Sequence, residues 1–86
     1  MKNASEIKFN SITKETEKAI CINVMVSWGD GNAKTKDVWF PKSTCEVIGS
    51  NSIMVADWMI EKTCNANAFH GYTMGFMMCS NSRFAN

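Results

Sequence analysis

Lys34, Lys36, Trp39, Phe40 and Lys42 crowd into nine consecutive positions of an 86-residue chain. Lysines neutralise phosphates and aromatic faces stack on unpaired bases, so this grouping carries the chemistry of weak single-stranded nucleic-acid binding. Parity along the strand divides the group. Val38 and Phe40 fall on one face and Asp37 and Trp39 on the other, which leaves Trp39 and Lys42 as surface candidates beside Lys34 and Lys36. A second surface is also in view. Cys21 and Met25 share the parity that would place them with Trp39, and a half-apolar face of that kind suits another protein chain or a second copy of this one.

Other chemistries find less support. Cys64, His70 and Cys79 are the only grouping with metal-ligand character, but no Cys-x2-Cys pair accompanies them, so no metal is expected. Nucleophilic catalysis needs a base beside Cys or Ser, and the chain holds one His. Gly29-Asp30-Gly31 is followed by neither Lys-Ser/Thr nor a helix, as a phosphate-cradling loop requires. The expectation is a chain without enzymatic activity and without a cofactor.

Charge bounds the partner. The formal net charge is +1, too little for tight, sequence-independent phosphate binding. It is unevenly spread. Residues 1–42 hold seven Lys against five acids, net +2, and residues 43–86 hold one Lys and one Arg against three acids, net −1. The basic half therefore contains the lysine–aromatic group. Apolar residues make up 45% of the chain, enough for a folded domain rather than a disordered one. The seven Met suit irregular core gaps or an adaptable surface.

Met1-Lys2-Asn3 leads into polar residues rather than an apolar leader, and no run nears the roughly 20 apolar residues of a membrane span. A cytoplasmic chain with reduced thiols at Cys21, Cys45, Cys64 and Cys79 is the expectation. Cys21 sits inside an apolar run and reads as a small buried hydrophobe.

The elements that must position these residues are mostly strands. In Ile20, Ile22, Val24, Val26 and Trp28 every second residue is large and apolar, the period of a half-buried strand. Gly29-Asp30-Gly31-Asn32 supplies positive-φ residues, so the chain should reverse there and return through Val38 and Phe40. Pro41 ends that strand. Glu6–Asn10 reads as a short edge strand guarded by Lys8, and residues 13–18 as a polar connection. After the turn at Gly49-Ser50-Asn51-Ser52, Ile53 and Val55 begin another strand. Asp57 can cap a short helix over 58–64. Tyr72, Met74, Phe76 and Met78 alternate as a closing strand, and residues 81–86 should fray. The predicted fold is mainly β and a single small domain. It is a five-stranded curled sheet or barrel, SH3-like or OB-like, with one short helix before the last strand.

The stretches Thr16-Glu17-Lys18-Ala19, Val38-Trp39-Phe40-Pro41-Lys42-Ser43 and Val55-Ala56-Asp57-Trp58-Met59 resemble a family of small phage and mobile-element proteins. The family's pattern is a Thr-Glu-Lys-Ala lead-in to an apolar strand, a Gly-containing turn, then Trp-Ile-Pro-Lys-Ser. The resemblance spans residues 7 to 62. Phe40 stands where Ile is usual, Thr44-Cys45 replaces Gln-Ile, and the tail from Phe69 lies outside the pattern. The resemblance implies an origin in a phage or integrated element and the cytoplasm of a bacterial host. It also implies neighbouring genes for recombination and replication, and it transfers no catalytic residue.

Two functions are therefore expected. The first is an accessory module in replication or recombination that binds single-stranded nucleic acid through Trp39, Lys42, Lys36, Lys34 and Met25. The alternative is a protein-interaction module or homodimer that modulates or inhibits a host protein, host defence included.

Overall fold

The period-two run at Ile20–Trp28 forms the central strand of the fold. The computed structural model describes residues 2–29 and 31–85. Among these are seven strands: β1 (Ala4–Lys8), β2 (Ser11–Glu15), β3 (Ala19–Ser27), β4 (Ala33–Pro41), β5 (Cys45–Gly49), β6 (Ser52–Ala56) and β7 (Gly75–Phe76). One α-helix, α1 (Asp57–Ala66), precedes β7, and 3-10 turns occupy Lys42–Thr44 and Ser82–Phe84. The mainly β class with one helix before the last strand holds.

The strands divide between two antiparallel sheets. One runs β1-β6-β5. The other runs β2-β3-β4, with β7 also pairing β3. β3 and β4 pair in unbroken register from Ala19↔Pro41 to Ser27↔Ala33, closed by a turn with Gly29 and Gly31 at φ 75° and 89°. Asp30, placed in that turn by the sequence, lies outside the described residues.

Seven strands replace the expected five because two were invisible as patterns. All five residues of β2 are exposed. It is held by backbone pairing to β3 across a bulge at Thr13, so it shows no apolar period. β5 is likewise exposed along most of its length. Asp57 is not the helix cap. It is the first helical residue, and its carboxylate accepts the Ser5 hydroxyl at 2.6 Å.

One core joins the layers. Ile7, Ile22, Val24, Val26, Ile53, Val55 and Phe40 are fully buried, with Ile60 of α1 and Phe76 of β7 against them. The tail stitches the sheets together. Phe76 pairs with Val26, the Met77 N–H donates to the Met25 carbonyl, and three residues on the Ser80 N–H donates to the Glu6 carbonyl of β1. The edge of β1 is therefore covered by the tail rather than guarded by Lys8 alone. The expected closing strand shrinks to β7 because the chain turns at 77–78 to reach β1. Met74 and Phe76 are buried, while Tyr72 and Met78 are exposed.

The expectation that 81–86 frays is corrected for residues 81–85. Asn81 accepts the Arg83 N–H to open a 3-10 turn, and Phe84 packs in the core at 5% exposure. Burial of the Phe84 ring, together with the turn's hydrogen bonds, works against the entropy cost of ordering the segment. Asn86 lies outside the described residues.

Candidate nucleic-acid interface

β4 pairs with β3 on one side, and among the described residues no strand pairs with its other edge. Beside that edge a groove of about 320 Å³ separates β4 from α1, lined by Lys36, Val38 and Trp39 on one wall and Met59, Lys62 and Thr63 on the other. The lysines reach it for a reason of register. Lys36 pairs with Val24 and Lys34 with Val26, so both share the inward parity of the core valines. The core ends before this end of β4, and the inward parity opens there onto the helix instead.

Asp37 also borders the groove, and its carboxylate accepts an Asn23 amide N–H at 3.0 Å. Lys34 and Lys36 on β4 and Lys62 on α1 thus place three cations along the groove and its far end. Trp39 stands at one end, 45% exposed. At the other end, about 20 Å along the strand, Trp28, Phe69 and Lys34 enclose a second, smaller cleft.

The predicted site residues part company in space. Lys36 and Trp39 share the groove, and Lys34 lies at its far end. Lys42 is elsewhere. The 3-10 turn at 42–44 forms the corner between the two sheets, where the Lys42 N–H donates to the Lys18 carbonyl. The Lys42 ammonium forms an ion pair with Glu15 of β2. The Thr44 hydroxyl closes this corner by donating to the Pro41 carbonyl at 2.7 Å. Met25 is half-buried on the outward face opposite Thr35, away from the groove. On that same face Cys21, opposite Trp39, is buried as a small hydrophobe.

Phe40 is fully buried as its parity requires. Trp28 is half-buried rather than core. It lies just beyond the end of β3, and its indole N–H donates to the Asn67 carbonyl at 2.8 Å. Sequence reasoning did not bring in Lys62 or Phe69. How α1 and the 69–72 hairpin sit against β4 depends on packing, which no local pattern announces.

No family model, curated protein or solved structure matches the chain. The groove's own chemistry therefore carries the functional reading.

The remaining reactive groups are subdued. The four cysteines are free thiols. Burial pushes the Cys64 thiol up to about 11, with Cys79 and Glu61 adding to the rise. Burial also raises Cys45, against a lowering by Lys42, and Cys79. These thiols hold their protons at neutral pH, the less nucleophilic state. Among the described residues no three His, Cys, Asp or Glu side chains gather as metal ligands. His70 instead packs edge-on against Phe69. Among the same residues no helix is long and apolar enough to cross a membrane.

Proposed function

We propose that the chain is a small non-enzymatic binding module whose groove along β4 takes single-stranded nucleic acid. The observation that carries this reading is the placing of Lys34 and Lys36 on the open strand and Lys62 on the facing helix wall, with aromatic side chains at both ends. Lysines at that spacing track a phosphate backbone while rings stack its bases. The unpaired edge of β4 adds backbone N–H groups, which serve as phosphate donors in such interfaces. With a net charge of +1, the affinity is modest and strongly salt-dependent. The setting we propose is that of a cytoplasmic accessory protein of a phage or mobile element, acting in replication or recombination. That setting rests on the resemblance of the Trp39-Phe40-Pro41-Lys42-Ser43 stretch. Fluorescence anisotropy of a labelled oligothymidylate at low salt tests the reading. Binding that Lys36→Ala with Lys62→Ala weakens supports it, and no binding at low salt sinks it.

One observation favours the alternative of a protein partner. Val47 and Ile48 of β5 are 46% and 51% exposed. The register shift between Val47 and Gly49 sets them side by side on an edge with no second strand among the described residues. An apolar edge of this kind invites pairing with another chain. A second copy is the occupant we propose, because antiparallel pairing centred on Val47 sets Glu46 against the partner's Ile48 and avoids apposing like charges.

A further inference from the structure

We propose that the cleft between Trp28 and Phe69 is a stacking slot for one unpaired base, at the far end of the β4 groove. This deepens the nucleic-acid reading and rests on it. The slot measures about 220 Å³ and is lined by Trp28, Asn32, Ala33, Lys34 and Phe69.

Both aromatic walls are held in place before any ligand arrives. The indole of Trp28 is oriented by its N–H bond to the Asn67 carbonyl at 2.8 Å. Phe69 stands on a two-residue hairpin. Phe69 and Tyr72 exchange both backbone hydrogen bonds, at 2.8 and 2.9 Å. The residues between them, His70 and Gly71, have φ 50° and 82°, the positive pair that a tight type I′ turn requires. Gly71 has open space around it, so backbone conformation rather than crowding selects glycine there. The His70 ring meets the Phe69 ring edge-on, with centroids 4.1 Å apart and planes at 73°. Phe69 is thus 60% exposed and yet fixed at its base. Folding gains little from such a ring, whereas a stacking platform needs it.

Lys34 supplies the charge. Its ammonium lies 5.3 Å from the centre of the Trp28 ring, within cation–π range. A nucleotide offers both groups a partner. Its base replaces the ammonium on the indole face, and its phosphate takes the displaced ammonium. Every base has a π-face, so the slot accepts any base and selects for its being unpaired.

The test uses the full chain with Trp39→Phe and Trp58→Phe, which leaves Trp28 as the sole indole, and makes every comparison in that background. Three probes are titrated: an eight-residue oligothymidylate, an abasic oligomer of equal length, and thymidine monophosphate. The slot predicts that the oligothymidylate quenches Trp28 fluorescence and the abasic oligomer does not. It also predicts that Phe69→Ala weakens oligothymidylate binding about 5- to 150-fold with an unchanged melting temperature. Binding without quenching, and equal affinity in Phe69→Ala, overturns the slot and leaves the lysine groove standing. No binding of either oligomer by the parent chain, read by anisotropy at low salt, overturns both. Quenching by the monophosphate at the concentration that suffices for the oligomer overturns the strand as ligand in favour of a free nucleotide.

Discussion

The Trp28 indole N–H donates to the Asn67 carbonyl at 2.8 Å, a bond that joins the end of β3 to the residue capping the C-terminus of α1 across 39 residues of sequence. It closes the far end of the groove, because it sets the spacing between the strand pair and the helix. Trp28→Phe keeps an aromatic ring but removes the donor. The substitution is expected to cost about 1 kcal/mol, read as a lower urea midpoint with an unchanged slope. A midpoint equal to that of the parent protein would show that the bond contributes nothing to the joint.

The tail is part of the core, and two substitutions six residues apart separate this from a frayed end. Phe84 is buried and Met78 is 55% exposed. Phe84→Ala should cost about 3–5 kcal/mol, a large fraction of what a domain this small possesses. Met78→Ala should stay within about 0.5 kcal/mol. Chemical denaturation measures both. Equal and small effects would return residues 81–85 to a frayed state.

These two elements also mark the boundary of what the sequence makes legible. The β3–β4 hairpin is readable because Ile20, Ile22, Val24 and Val26 alternate and glycines at positive φ close the turn, both local signals. The exposure of Trp39 follows from the same parity. Phe84 is one apolar residue among Ser, Arg and Asn, so no period announces its burial. β2 is recruited chiefly by backbone pairing to β3, helped by the Thr13 hydroxyl on the Cys21 carbonyl and the Glu15–Lys42 ion pair, and its exposed residues leave no apolar period. For the candidate site, the lysine–aromatic composition is legible but its geometry is not. Lys36 points into the groove only because the core stops short of that end of β4. Lys42 is withdrawn by Glu15, a partner 27 residues away. Phe69 reaches Trp28 through a hairpin whose position depends on how α1 packs.

Stability should fall at alkaline pH through Cys64. Its ordinary thiol value is 9.0, and burial raises it to about 11 in the folded chain. Below pH 9 both states hold the proton and stability has its full value. Between pH 9 and about 11 the unfolded chain releases the proton while the folded chain keeps it, so stability is lost by about 2–3 kcal/mol. Above that range this loss grows no further. The quantity to compare is the slope of stability against pH in the parent and in Cys64→Ala. The parent should fall more steeply across this window, and identical slopes would remove Cys64 as the cause.

The β5 edge makes a separate prediction about association. If a second copy pairs there, sedimentation equilibrium should show a dimer whose population rises with concentration. Val47→Lys should abolish it by placing two ammonium groups opposite one another at the centre of the pairing. Val47 is exposed, so the variant monomer should keep the parent's circular dichroism. A strictly monomeric parent at high concentration removes the second copy as the occupant.

Lys42 and Lys36 should differ in their effect on nucleic-acid affinity, because one is paired and outside the groove and the other lines it. Each phosphate neutralised along a single strand contributes about 0.7 to the slope of log affinity against log salt. Three lysines, Lys34, Lys36 and Lys62, therefore predict a slope near −2. Replacing Lys36 and Lys62 together by Ala should reduce its magnitude by about 1.4. Lys42→Ala should leave the slope unchanged and lower stability by less than about 1 kcal/mol, since its ion pair with Glu15 is solvent-exposed. Anisotropy titrations at four or five salt concentrations read all three chains. A slope that Lys42→Ala flattens as much as the double substitution does would move the phosphate path from the groove to the corner between the sheets.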